Sequence, residues 1–167
     1  MKAAILIATL LFAPWLHASA TYTATPYEEE QKVVFDLFLD EPEKITTALH
    51  WLRSYINPLQ DDPYGYAPDF MDIKVIVHGT EIVTLAKKND EKYSQAVKRM
   101  RYYADLGVEF RVCAIAAGDY GYSAEDFHDF VTLVPSAITE LGHWQQQGYA
   151  LIRPVVYTRT RSIEEIR

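Results

Sequence analysis

The 167-residue chain is acidic, since 23 Asp and Glu residues oppose 16 Lys and Arg residues and give a formal net charge of −7. No nucleic-acid partner is expected, because phosphate binding needs a basic stripe and the basic segment at residues 98–101 shares its predicted helix with acidic neighbours. The length suits one domain with a core that needs no disulfide.

Residues 1–20 have the pattern of a secretory signal peptide. Lys2 precedes an apolar run at residues 3–16, and the small tripeptide Ala18-Ser19-Ala20 predicts cleavage after Ala20. The apolar run is too short for a stable membrane anchor, and no comparable run follows in the sequence. We therefore expect a periplasmic or secreted protein that is not inserted in a membrane once the leader is removed.

Strand-like and helix-like patterns alternate after the leader. Residues 21–30 are polar and predict a flexible lead, residues 31–154 form the predicted domain, and residues 155–167 form a C-terminal tail. Runs rich in β-branched and aromatic residues predict strands at residues 32–39, 71–77, 108–113, 131–134 and 149–153. Apolar spacings and capping residues predict helices at residues 43–59, 80–87, 89–106 and 136–147.

This alternation is typical of an α/β fold. It predicts a single doubly wound, mainly parallel sheet of five strands in the order 2-1-3-4-5, with helices on both faces. The strand-like pattern at residues 155–158 continues beyond the fifth strand and needs a pairing partner. We therefore expect a homo-oligomer in which the tail is an arm.

The carboxyl ends of parallel strands share one edge of the sheet, where ligands bind in such folds. The residues expected at this edge are Asp40, His78, Cys113 and Ser136, which follow or end the first four strands. Asp36 and Glu81 lie nearby in the sequence. With Asp40, they are interpreted as caps or as solvated carboxylates.

Cys113 is the only cysteine in the chain and ends the third predicted strand. A reactive thiolate needs a nearby cation or backbone N–H donors, which His78 and the following glycine-containing loop would supply. The alternative is a buried small apolar residue, as most lone cysteines are. His78 has two interpretations as well: a base or donor at the edge, or a neutral histidine bonded to a backbone carbonyl.

No cofactor or metal is predicted. The other histidines of the mature chain, His50, His128 and His143, show no ligand spacing, and one cysteine cannot build a zinc cage. The sequence also lacks a serine elbow, a dinucleotide-binding glycine motif and a P-loop.

Four segments together resemble the DsrE/DsrF-like family: VVFDLFLD at residues 33–40, VIVHG at 75–79, GVEFRVC at 107–113, and VPS at 134–136 continuing to QGYALIRP at 147–154. The resemblance covers residues 31–154 in order. It implies a doubly wound α/β fold and assembly into oligomers. For members that act in sulfur relay or sulfur oxidation, it also implies a cysteine that carries sulfur as a persulfide, and Cys113 in VCAIAA matches that position.

The relay members of the family are cytoplasmic, whereas this chain has a predicted export signal. Its sulfur donor and acceptor would therefore differ from theirs.

Two functions follow from these observations. The first is sulfur handling, in which Cys113 accepts sulfane sulfur and His78 or loop N–H groups stabilise the anion. The second is a non-catalytic binding or assembly module, in which Cys113 is buried and the tyrosine loops at residues 64–66 and 120–122 form a ligand or subunit surface.

Overall fold

The computed structural model describes residues 20–28 and 30–167, so the predicted signal peptide lies outside the described residues except for Ala20. None of the helices in these described ranges is long and apolar enough to cross a bilayer.

The domain is an α/β structure with one parallel sheet, as the sequence predicts. Its strands are β1 (Gln31–Leu37), β2 (Met71–Val77), β3 (Glu109–Cys113), β4 (Val131–Val134) and β5 (Ala150–Ile152). Its helices are α1 (Ile45–Gln60), α2 (Asp90–Asp105), α3 (Ala114–Asp119), α4 (Ala137–Gln146) and α5 (Ile163–Ile166). Every strand pair is parallel.

The strands lie in the order 4-3-2-1-5, whereas the sequence analysis expects 2-1-3-4-5. Both orders pair β1 with β2 and β3 with β4. The structure pairs β2 with β3, and β5 with β1, in place of the other two expected contacts. This order agrees with the burial of the strands. β2 is almost wholly buried, as a central strand must be, whereas the edge strand β4 is only partly buried and the edge strand β5 is largely exposed.

Two apolar layers cover the sheet. The larger contains Val33, Phe35 and Leu37 of β1 together with the predicted apolar stripe of α1, including Leu49 and Leu52. The smaller lies on the opposite face, below α4. It consists of Val34, Ile76, Cys113, Ala137, Leu141 and Tyr149.

Local boundaries differ from the sequence patterns at two places. The segment after β3 begins with helix α3 rather than a loop, because its alanines favour a helix. Residues 155–158 of the tail form no strand, and Val156 packs against the larger core layer.

Residues 20–28 run past the loop before β2. Tyr64 and Tyr66 donate hydroxyl hydrogen bonds to the carbonyls of Thr25 and Tyr27, at 2.6 and 2.8 Å.

Candidate functional site

His78 and Cys113 both lie at the carboxyl edge of the sheet, His78 directly after β2 and Cys113 at the end of the neighbouring β3. Val77 of β2 pairs with Val112 of β3, and the next residues in the chain are His78 and Cys113. Neighbouring strands lie about 4.8 Å apart. Cys113 and His78 also project towards the α4 face, since side chains alternate along a strand and Ile76 and Cys113 share the smaller core layer.

Asp36 connects His78 to Arg153. The Nε2 of His78 lies 2.7 Å from Asp36 Oδ1, and the Nε of Arg153 lies 2.8 Å from Asp36 Oδ2. An ionised carboxylate can only accept hydrogen bonds, so Nε2 of His78 carries the proton and donates it. The sequence interpretation of Asp36 as a cap or a solvated carboxylate is therefore replaced by a buried ion pair.

Asp36 is ionised despite its burial. Burial favours the neutral acid, but the hydrogen bond and charge of His78 and the charge of Arg153 outweigh it, so the pKa of Asp36 lies below its ordinary value of 3.8. The buried negative charge fixes the orientation of the His78 ring and leaves Nδ1 as the ring atom that is free of Asp36.

Phe38 and Arg153 form the outer boundary of the site. The ring of Phe38 stacks on His78 with centroids 5.0 Å apart and is itself exposed. Arg153 uses Nε for Asp36 while 63% of its side chain remains exposed. Both residues line an open cleft of about 540 Å³ between the end of β1 and residues 155–158 of the tail.

Cys113 lies beneath this edge. Its residue exposure is 5%, which is less than the partly exposed thiol expected of a sulfur carrier. It directly precedes α3, and its neighbours in the smaller core layer include Val34 and Ile76.

The other candidate residues from the sequence do not belong to the group formed by His78, Asp36 and Arg153. Asp40 is exposed and accepts two 2.8 Å hydrogen bonds from Lys44. Ser136 precedes α4 after β4, and its side chain makes no capping hydrogen bond. His128 pairs with Asp90 instead, at 2.7 Å. Within residues 20–28 and 30–167, no group of three His, Cys, Asp or Glu side chains is arranged to hold a metal ion.

Arg153 was missed by the sequence analysis. The sequence feature that could have indicated Arg153 is its position directly after the fifth strand, which places it at the same carboxyl edge as His78. The expected strand order put β5 beside β4 and therefore far from Asp36. The observed pairing of β5 with β1 brings Arg153 to the carboxylate.

The fold and the edge site together define a parallel α/β domain with a cysteine and a histidine at its carboxyl edge. The sequence model of the DsrE/DsrF-like family matches residues 32–154. This chain belongs to that family. A comparison with curated proteins gives no match.

A solved structure shares the fold. It is a protein of unknown function from Methanobacterium thermoautotrophicum, with a TM-score of 0.59 and 22% sequence identity. The similarity covers 75% of this chain and 100% of that chain. At this identity the similarity supports the architecture and carries no activity.

Proposed function

We propose that this protein is an exported member of its family that carries sulfane sulfur as a persulfide on Cys113. The observation that supports the proposal is that the single cysteine of the chain ends β3, while a histidine oriented by a buried carboxylate directly follows the neighbouring strand β2. Family membership supports it, because the DsrE/DsrF-like fold is of the sulfur-relay type.

The chemistry needs one thiol. The Cys113 thiolate attacks the outer sulfur of a donor persulfide, a new S–S bond forms, and the donor's own S–S bond breaks. The donor leaves as a thiolate with the electron pair, so the exchange is balanced and needs no external oxidant. Delivery to an acceptor thiolate is the same step in the other direction.

In this proposal His78, directly after the strand next to β3, is the donor for the reacting sulfur, whereas Arg153 acts only through Asp36, because β1 and β2 separate it from β3. A thiolate is stabilised by a neighbouring imidazolium. Asp36 holds both side chains at the edge, so they are in position before the donor arrives. The cleft lined by Phe38 and Arg153 has the size of a small-molecule site, but its lining includes neither Cys113 nor His78.

The partners of this exchange are an unidentified sulfur donor and an unidentified acceptor outside the cytoplasm. The proposal places the protein in the periplasm or the medium, through cleavage of residues 1–20, and as a homo-oligomer with the tail, residues 155–167, in the contact. It requires no cofactor.

Sulfur uptake by the native protein tests the proposal. Mature protein is incubated with inorganic polysulfide and measured by intact-protein mass spectrometry, with gain of one sulfur atom expected for wild type and loss of that gain for Cys113→Ser. His78→Gln is expected to slow the uptake. His128→Gln is the matched control, because His128 makes a 2.7 Å pair with Asp90 elsewhere in the domain and is expected to leave the rate unchanged.

The result that overturns the proposal is the absence of any sulfur adduct on native wild-type protein, under conditions that modify a known carrier. Labelling of Cys113 by a small alkylating reagent only after denaturation would then identify a structural cysteine and support the binding or assembly module.

A further inference from the structure

Glu81 is a fully buried carboxylate that the sulfur exchange does not use. It lies in the 3-10 turn Thr80–Leu85, directly after the strand that carries His78. Among the described residues, neither of its oxygens has a Lys, Arg or His partner within ion-pair distance, so the charge is not balanced by a nearby cation. A buried and uncompensated carboxylate is costly, and its retention needs an explanation from its contacts.

Both oxygens of Glu81 accept hydrogen bonds from the main chain of the site. Oε1 accepts from the backbone N–H of His78 at 3.2 Å and of Gly79 at 2.9 Å. Oε2 accepts from the backbone N–H of Leu39 at 2.9 Å. One side chain therefore joins the segment after β1 to the segment after β2.

These two segments adjoin the residues of the candidate site. Leu39 lies three residues after Asp36 in the first segment, and in the second segment the backbone N–H of His78 itself donates to Glu81. The N–H of His78 also donates to the carbonyl of Leu37, at 3.1 Å. The main chain at His78 is thus held from both strands.

The three backbone N–H donors around Glu81 suit a carboxylate better than a neutral amide. Burial raises the pKa of the Glu81 carboxyl and so opposes its ionisation, whereas the backbone hydrogen bonds lower the pKa without cancelling that effect. Only a carboxylate has acceptors on both terminal atoms. A glutamine would point an NH₂ group at one of the backbone donors and leave that donor unpaired.

We propose that Glu81 is the positioning residue of the site, which fixes the backbone at His78 so that the imidazole meets Asp36 at the carboxyl edge. The effect of Glu81 on sulfur uptake rests on the proposed function. Its effect on the position of His78 does not depend on that chemistry.

The test compares Glu81→Gln with Thr84→Val in the mature protein. Thr84 is buried in the same turn, and its hydroxyl donates to the Glu81 carbonyl at 2.8 Å without contacting His78. The control therefore weakens the turn but leaves the carboxylate bonds intact. The first readout is the imidazole NMR signal of the His78 Nε2–H bonded to Asp36, which needs no sulfur donor. The second is the rate of sulfur uptake from polysulfide per folded molecule.

We expect Glu81→Gln to lose or shift the bonded His78 signal and to slow sulfur uptake by at least about tenfold, as misplacement of a reacting group does. Thr84→Val should keep the signal and a rate within about twofold of wild type. In the Glu81→Gln background, adding His78→Gln should cause little further loss, because the two changes remove one function.

Retention of both the His78 signal and the uptake rate in folded Glu81→Gln would overturn the positioning role. If wild type takes up no sulfur while Glu81→Gln still loses the His78 signal, the positioning role stands and the sulfur-carrier proposal fails. If Glu81→Gln does not fold, Glu81→Asp replaces it. The aspartate keeps the charge but is one methylene shorter, and an unchanged His78 signal in that variant overturns the role equally.

Discussion

Replacement of Gly79 by alanine tests how tightly the ends of β1 and β2 are joined. Gly79 has a negative φ of −102°, so alanine meets no left-handed backbone penalty there. The obstacle is space. An added Cβ would lie 2.5 Å from Glu81 Oε2, 2.5 Å from the Leu39 nitrogen and 2.7 Å from the Leu39 oxygen.

The magnitude follows from what must move. Ordinary contact begins at 3.4 Å, so each of these atoms has to retreat by about 0.7 to 0.9 Å, and two of them belong to the main chain of the neighbouring segment. That movement stretches the Leu39 N–H bond to Glu81 (2.9 Å) and the Thr80 N–H bond to the Leu39 carbonyl (3.0 Å). Overpacking costs about 1–3 kcal/mol and each strained hydrogen bond about 1 kcal/mol, so we expect a loss of about 3–5 kcal/mol.

The assay is urea unfolding of the mature protein followed by circular dichroism, with the free energy of unfolding extrapolated to water. Gly142→Ala is the matched control, because Gly142 lies inside α4 and no heavy atom of the described residues would meet its added Cβ within 4 Å. Alanine there should stabilise the protein by about 0.5–1 kcal/mol. A Gly79→Ala variant within about 0.5 kcal/mol of wild type would refute the reasoning, since overpacking alone should cost more.

Three further predictions concern charge and assembly. Because the folded-state pKa of Asp36 is lowered, its stabilising contribution is present above the ordinary pKa of 3.8 and is lost as the pH falls through the folded value. Asp36→Asn should therefore lower the free energy of unfolding by about 1.5–3 kcal/mol at neutral pH. The difference from wild type in urea unfolding should become smaller below pH 3.8, and a difference that does not change with pH contradicts this. Lys74 is buried between two carboxylates, and its Nζ lies 4.7 Å from the Trp144 ring. Because those carboxylates are about 40% exposed and can rehydrate, Lys74→Met should lower the free energy of unfolding by only about 1–2 kcal/mol. It should also change the tryptophan fluorescence. A loss above 4 kcal/mol would contradict that estimate. Deletion of residues 155–167 should lower the molar mass in light scattering to that of a smaller assembly, and an unchanged mass would exclude the tail as an oligomer arm.

The sequence predicts elements whose signal is local. The stripe that includes Leu49 and Leu52 has helical spacing, and the structure buries it in α1. The run at Met71–Val77 has apolar residues at alternate positions, which predicts a strand with one buried face. These patterns depend only on neighbours within a few residues, so one sequence is enough to find them.

Strand order depends on contacts between distant segments and was only partly predicted. A strand buried on both faces belongs in the centre of a sheet, but Asp72 and Lys74 on the second face of Met71–Val77 gave no sign in the sequence that this face is buried. The expected order left this strand at an edge. The short β5 (Ala150–Ile152) carries too few residues to indicate its neighbour, and the role of Arg153 was missed for that reason.

The sequence predicts Cys113 and His78 at the carboxyl edge of the sheet, and the structure has Cys113 at the end of β3 and His78 directly after β2. Their joint role in a site stays a prediction. The residues that bond to His78 lie in other segments: Asp36 is inside β1, and Glu81 is in the turn after β2. A carboxylate in a sequence carries no mark of whether it will be solvated or buried. The burial of both residues could therefore be learned only from the fold.

The burial of Cys113 determines how sulfur must reach it. The thiol lies in the smaller core layer, where its buried neighbours include Ala137 and Leu141 of α4. The segment that follows the cysteine is the six-residue helix α3, with Ile115 64% exposed. Short segments with few buried side chains open at a lower free energy than the core. The sulfur-carrier proposal therefore requires local opening around Cys113 while β1 and β2, joined through Glu81, keep His78 and Asp36 in place.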